Sequence, residues 1–236
     1  MTRSVSRKMQ LALSMIAITL GLSALAQAGP PLICHAIQIG DAKSLPWTGT
    51  GLSGDPNYDV KNLAADTLAI LGPDTPVLVR METLRRATIY ARRDPQAAKQ
   101  LLTRLYNRAT SADSAGNASA LAWFDAGYLV ECYRQWIGQD LPHMTDGLRL
   151  DRNPAAGLDG YASVEKAISL RGSDPQMEFA AALITMEGAP RDHQKHLQRA
   201  LAGAKSDPLL AQNLSSRFAG SNTPAMAELL QAPSKN

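Results

Sequence analysis

From Asp59 onward, apolar residues recur every three to four positions, which predicts a series of amphipathic α-helices. Residues 29–58 are rich in proline and glycine and show no such period, although Leu32–Ile39 is apolar enough for one short strand. Because no pair of strands is predicted, the pattern indicates an all-α protein. The predicted helices span residues 59–71, 75–92, 94–109, 118–137, 161–170, 175–186, 191–202, 208–218 and 224–230.

The pattern divides the chain into three parts. Residues 1–28 are predicted to be a signal peptide, residues 29–58 an irregular segment, and residues 59–236 a single α-helical domain. Within that domain, residues near 138–159 lose the helical period and predict an inserted loop. Alanine and leucine are abundant while aromatic residues make up 5% of the chain, which favours helices because alanine loses little entropy there.

The amino-terminal residues have the features of a cleavable secretory signal. Three basic residues come first, Arg3, Arg7 and Lys8. Residues 11–25 are almost entirely apolar, and Ala26-Gln27-Ala28 has the small residues of a cleavage site, which predicts a cut before Gly29. As a helix the apolar run spans roughly 22 Å against a hydrocarbon core of roughly 30 Å, which disfavours an uncleaved membrane anchor. We therefore expect a periplasmic or secreted protein with no membrane span after cleavage.

Removal of the signal changes the charge of the protein. The chain has 24 lysine and arginine residues and 21 aspartate and glutamate residues, so loss of the three basic residues of the signal brings the net charge to zero. Binding to nucleic acid depends on a clustered basic surface, which this balance does not support. No motif predicts a cofactor. The expected partner is a protein or a peptide rather than a nucleic acid.

Three predicted helices start in the same way, with Asp94-Pro95, Asp174-Pro175 and Asp207-Pro208. Aspartate caps the first free amides of a helix, and proline fits the first helical position. An alanine stands seven positions before each aspartate, namely Ala87, Ala167 and Ala200. The last two copies lie 33 residues apart, which predicts a helical repeat.

Two stretches resemble tetratricopeptide repeats. Residues 161–175 are similar to the second helix of such a repeat running into the next one, and residues 120–128 to a first helix. This resemblance covers roughly residues 75–232 and implies an irregular right-handed array of antiparallel helix pairs with a concave binding surface. The alternative is a generic right-handed helical bundle. The extended, loop-rich amino-terminal segment resembles uncharacterised exported bacterial proteins, which implies no function.

The resemblance also implies where a partner would bind. In a tetratricopeptide-like array the first helices of the pairs supply the binding face, which makes Trp123, Tyr128 and Arg134 the candidate binding residues. Trp47, in the irregular segment, is a further candidate because an aromatic side chain in a glycine-rich loop can stack on a ligand. The alternative for Trp47 is a structural plug that covers the end of the helical array.

The two cysteines, Cys34 and Cys132, form an even pair in a chain predicted to reach an oxidising compartment. A disulfide between them is the favoured prediction, and two unpaired thiols are the alternative. Such a bridge would tie the irregular segment to the helix predicted over residues 118–137.

One pair of histidines suggests a different function. His193 and His196 are three residues apart on a predicted helix and could share a face toward a metal, although a stable site needs three or four ligands. Solvated polar residues on an outer face are the alternative interpretation. The sequence thus favours a protein- or peptide-binding scaffold in the cell envelope, with a metal-binding or enzymatic module and a structural envelope protein without a ligand as the rivals.

Overall fold

The computed structural model of the chain describes residues 31–48, 52–137, 157–186 and 188–220, together with Met226. The predicted signal peptide lies outside the described residues. So do residues 138–156 of the predicted inserted loop and, apart from Met226, the helix predicted over residues 224–230.

The described part of the chain contains α-helices and no β-strand, so the all-α prediction is confirmed. A short 3-10 turn, Val60–Asn62, leads into the first helix. Eight α-helices follow in these residues, each at a predicted position, and the bounds of the last agree with the predicted ones. They are α1 (Leu63–Ile70), α2 (Val77–Ala91), α3 (Pro95–Ser114), α4 (Ala120–Ile137), α5 (Gly160–Arg171), α6 (Pro175–Ile184), α7 (Pro190–Ala204) and α8 (Pro208–Phe218).

The aspartate–proline pairs begin helices as predicted. The side chains of Asp94, Asp174 and Asp207 each accept hydrogen bonds from main-chain N–H groups two or three positions further on, and proline occupies the first helical position. These bonds satisfy donors that the first turn of a helix leaves without intrahelical partners. The three alanines of the predicted repeat, Ala87, Ala167 and Ala200, are fully buried.

Helix α2 lies at the centre of the protein. It packs against α1, α4 and α6, and all but one of its residues are buried. A helix enclosed on every side cannot show a clean apolar stripe, because its polar residues are inside as well. Its charged residues therefore find partners within the fold.

One such partner pair joins the start of α2 to α4. Arg80 Nη1 donates to Asp125 Oδ2 at 2.6 Å, and both side chains are fully buried. The Arg80 guanidinium also donates to the carbonyl oxygens of Gly72 and Thr75. Burial raises the pKa of Asp125 to about 6, because ionisation away from water is costly, and the Arg80 guanidinium opposes this rise.

Helices α4 and α5 form the most extensive helix pair in the described residues. Gly127 and Gly160 face each other there, and a Cβ atom built on Gly127 would lie 2.6 Å from the carbonyl oxygen of Gly160. The absence of two side chains thus lets the two backbones meet. Helices α6 and α7 form the second extensive pair, where Gly203 meets the ring of Pro175.

The short strand predicted at Leu32–Ile39 is wrong. These residues form turns and irregular backbone, with no β-pairing. Side chains that project from helices bind three of their N–H groups and three of their carbonyl oxygens in place of a neighbouring strand.

Candidate functional site

Residues 31–48, called the strap from here on, lie across α2, α4 and α8 without forming a helix or a strand. Four aliphatic side chains of the strap are at most 2% exposed. Ala36, Gln38 and residues 40–43 are exposed. One side of the strap is therefore part of the core while the other faces solvent. The buried four are Leu32, Ile33, Ile37 and Leu45.

Two side chains of α2 bind the main chain of the strap. Glu82 Oε2 accepts a hydrogen bond from the N–H of Ile37 at 2.9 Å. Arg85 Nη1 donates to the carbonyl oxygen of Ile33 at 3.0 Å. Each contact uses a main-chain group, a carbonyl oxygen that every residue carries or an N–H that every residue except proline carries.

Helix α8 binds the strap in the same manner. Asn213 holds both main-chain groups of Gln38, because its Oδ1 accepts from the N–H and its Nδ2 donates to the carbonyl oxygen, each at 2.9 Å. Arg217 donates to the carbonyl oxygens of Pro31 and His35, at 3.2 and 2.7 Å. An asparagine amide that pairs with both groups of one residue replaces the neighbouring strand that a β-sheet would supply.

Two charged side chains beneath the strap form ion pairs with Glu82. Arg85 donates to both Glu82 oxygens, at 2.8 and 2.9 Å, and Arg86 Nε donates to Oε1 at 2.7 Å. The free end of Arg86 reaches the carbonyl oxygen of Leu45 at 2.6 Å. Burial lowers the pKa of Arg217 to about 10, so this guanidinium stays charged at neutral pH. The helices thus present positive groups to the strap carbonyls.

Trp47, predicted as a binding residue, lies near the carboxyl end of the strap and is half-buried. Its ring stacks beneath the guanidinium groups of Arg85 and Arg86, whose Cζ atoms lie 5.1 and 5.6 Å from a ring centroid. It also meets the ring of Tyr90 edge to face. The partners of Trp47 in this structure are therefore side chains of α2.

Tyr90 anchors the chain on both sides of Trp47. Its hydroxyl donates to the carbonyl oxygen of Pro46 at 2.5 Å and accepts from the N–H of Asp55 at 2.8 Å. Gly54 adopts a φ of +66°, and a Cβ atom there would lie 2.7 Å from the Tyr90 ring. The contact with Tyr90 thus requires glycine at this position.

Helix α4 contacts the strap through Gln135, whose Oε1 accepts from the N–H of Leu32 at 2.8 Å. The aromatic residues predicted for the binding face are elsewhere. Tyr128 is fully buried and Trp123 is 8% exposed, so neither ring forms an accessible surface. In α4 these two large aromatic side chains fill the core between helices.

The third predicted residue of that face, Arg134, is exposed and pairs with Glu131 at 3.0 Å. The Trp123 ring is covered by Lys166, whose Nζ lies 4.0 Å from a ring centroid. Among the described residues, the Trp123 Nε1 and the Tyr128 hydroxyl have no hydrogen-bond partner. The three predicted residues therefore do not come together as one site.

Cys34 and Cys132 are both free thiols, so the predicted disulfide is absent from the structure. Cys132 is fully enclosed on α4, and Cys34 is half-buried in the strap. Burial raises the pKa of both thiols, which keeps them protonated at neutral pH, although Arg85 opposes the rise in each case. A protonated, enclosed thiol is a poor nucleophile for disulfide formation.

His193 and His196 do not share a metal site. His196 is buried, with its Nδ1 2.5 Å from Glu178 Oε2 and its Nε2 2.8 Å from the Tyr161 hydroxyl. His193 Nδ1 instead contacts the carbonyl oxygen of Ala182. Within the described ranges, no three histidine, cysteine, aspartate or glutamate side chains are grouped as metal ligands.

Glu178, His196 and Tyr161 form a hydrogen-bonded chain that joins α5, α6 and α7. With its proton on Nδ1, His196 donates to Glu178 and accepts from the Tyr161 hydroxyl. Ser173 and Arg199 also donate to Glu178. Burial, and secondarily Glu165, raise the pKa of Tyr161, so this chain ends in a protonated phenol rather than in a nucleophile.

Sequence reasoning missed Glu82, Asn213 and Arg217, the main contacts of the strap. One signal was available, because the apolar spacing of the second predicted helix includes Arg85 on its inward stripe. A charged residue on an inward stripe needs a buried partner. Its counter-ion, Glu82, lies three positions away on the same helix, but the carbonyl oxygen of Ile33 that Arg85 also binds lies in a segment without periodicity.

No helix in the described part of the chain combines the length and the apolar character needed to span a membrane. No family model, curated protein or solved structure matches the chain. The arrangement of the strap on its helices is therefore the main basis for a functional proposal.

Proposed function

We propose that this chain is an exported helical-repeat scaffold that binds non-helical polypeptide segments of proteins in the cell envelope. The observation that carries the proposal is the strap itself. Side chains of α2, α4 and α8 hold an irregular, non-helical stretch of polypeptide through its N–H and C=O groups.

The resemblance to tetratricopeptide repeats supports the same face. If α2/α3, α4/α5 and α6/α7 are successive helix pairs, then α2, α4, α6 and α8 are the first helices. The strap contacts three of these four. In such arrays the first helices supply the concave binding surface.

The chemistry of the face suits a polypeptide better than a small molecule. Glu82 accepts from an N–H, Arg85 and Arg217 donate to carbonyl oxygens, and Asn213 does both. A polypeptide presents these groups at regular spacing whatever its sequence. Selectivity would then come from the apolar side chains that lie between them.

The alternative is a structural envelope protein without a ligand. The burial of the strap favours this alternative, because a strap that never left would block the proposed binding face. A metal-binding or enzymatic function on α7 has less support. Both ring nitrogens of His196 are already within hydrogen-bonding distance of protein atoms, and the Nδ1 of His193 is as well.

The proposal is tested with an immobilised array of random 15-residue peptides and the chain produced without residues 1–28. We expect retention on peptides that carry several aliphatic residues, and loss of retention for Asn213→Ala. Gln212→Ala is the matched control, because Gln212 is the exposed neighbour on the same helix. The proposed scaffold function would be refuted if no peptide bound either the unaltered chain or the strap variants described below.

A further inference from the structure

The strap occupies the face that the proposed function assigns to a partner. Resting on that function, we infer that residues 31–48 are an internal competitor, and that the ligand is a non-helical polypeptide segment of the same apolar pattern that binds when the strap leaves.

The buried side chains of the strap define that pattern. Leu32 and Ile33 are adjacent, and Ile37 follows four positions after Ile33. Between them, Ala36 is exposed and His35 uses its carbonyl oxygen. A competing segment therefore needs two adjacent aliphatic residues and a third aliphatic residue four positions after the second, and of the positions between them that of Ala36 is exposed.

The polar contacts do not restrict the ligand further. Asn213 and Arg217 bind main-chain atoms, and the side chain of Gln38 is exposed although both of its main-chain groups are held. Any polypeptide without proline at the position of Gln38 offers the same groups. The face therefore fits any segment that has this apolar pattern, and the strap is one such segment.

The strap can leave without unfolding a helix. It is no part of a helix or a sheet, and it turns at Gly40, where φ is +58° and the three residues that follow are exposed. Its departure would uncover the core beside α2, so the open state is favourable only when another aliphatic segment replaces it. This requirement couples release of the strap to binding of the ligand.

Competition within one chain lowers the apparent affinity for any free peptide. The measured Kd equals the intrinsic Kd divided by the fraction of molecules whose strap has left. Because a tethered segment acts at an effective concentration of about millimolar, a free peptide at micromolar concentration competes poorly with an intact strap. Weakening the strap should therefore tighten binding.

Two strap variants test this inference without altering the helices. Gln38→Pro removes the N–H that Asn213 binds and leaves the buried side chains in place. The double variant Leu32→Ala/Ile37→Ala removes two of the four apolar anchors. The probe is a fluorescein-labelled synthetic peptide of residues 31–48 with C34S, and binding is followed by fluorescence anisotropy.

We expect each strap variant to bind the probe at least tenfold more tightly than the unaltered chain. Adding Asn213→Ala to Gln38→Pro should abolish the gain, whereas adding Gln212→Ala should preserve it. Equal affinity of the unaltered chain and Gln38→Pro would overturn the internal competitor while leaving the scaffold proposal standing if array peptides still bind. Failure of the probe and of all array peptides would overturn both.

Hydrogen exchange on the unaltered chain gives a second measurement that does not depend on the folding of any variant. The amides of Leu32, Ile37 and Gln38 should exchange faster than those in the middle of α2, because the strap opens without global unfolding. Equal protection of the strap and of α2 would mean that the strap leaves only when the whole protein unfolds, which overturns the inference.

Discussion

Replacement of Glu82 by glutamine should destabilise the protein strongly, since this one carboxylate serves two arginines and the strap. Its oxygens accept from Arg85, from Arg86 and from the N–H of Ile37, and its side chain is about 1% exposed. Glutamine has nearly the same shape but carries no charge. Its NH2 group would also face N–H groups that donate to Glu82 in the native protein. Arg85, about 2% exposed, would lose its counter-ion.

The size of the effect follows from burial. Removing one partner of a buried ion pair costs about 3–5 kcal/mol, because the remaining charge stays enclosed without compensation. Arg86 is 19% exposed and recovers part of its hydration, so its loss adds little. We therefore expect the free energy of unfolding to fall by about 3–5 kcal/mol.

Urea unfolding followed by circular dichroism measures this change. The matched control is Glu165→Gln, because Glu165 is an exposed residue 4.0 Å from the exposed Lys195, and its replacement should change stability by less than about 0.5 kcal/mol. A loss below about 1 kcal/mol in Glu82→Gln would refute the reasoning, since it would mean that water reaches the Arg85 guanidinium.

Three further predictions concern other parts of the fold. The pKa of Asp125 is raised from 3.8 to about 6, so the folded protein keeps a proton that the unfolded chain releases. This contribution to stability is present at low pH and decreases by about 3 kcal/mol in all as the pH rises from below 4 to above 6, and urea unfolding at several pH values should show that Asp125→Asn removes it. Gly127→Val should lower the free energy of unfolding by about 2–3 kcal/mol or more, because its Cβ would meet the backbone of α5, whereas Gly188→Val has open space and should have little effect in the same assay. Ellman's reagent should titrate both Cys34 and Cys132 in the unfolded chain and react slowly with the native protein; a mass about 2 Da below that of the dithiol, with no thiol detected, would contradict the structure.

Local interactions account for what the sequence predicted well. Helix starts at Asp94, Asp174 and Asp207 depend on groups two or three residues apart, and the structure forms each cap as expected. Helical periodicity likewise located α8 with its bounds. These features need no knowledge of distant residues.

The candidate site was predicted less well, because it depends on residues far apart in the chain. Asn213 binds Gln38 across 175 positions, and Arg217 binds Pro31 across 186. Trp123 has the aromatic character of a binding residue, and only its surroundings show that it is buried. The type of a side chain shows which groups it can bond to, but the tertiary structure decides which residues lie next to it.

The sequence by itself therefore determined the helical class and the helix starts, since both follow from local spacing and capping. Only the tertiary structure decided that the irregular residues 31–48 are bound along α2, α4 and α8, that Tyr128 is buried and that His196 pairs with Glu178. The physical reason is that side chains of separate helices satisfy the main-chain groups of the strap, and no periodic pattern encodes contacts between segments so distant in the chain.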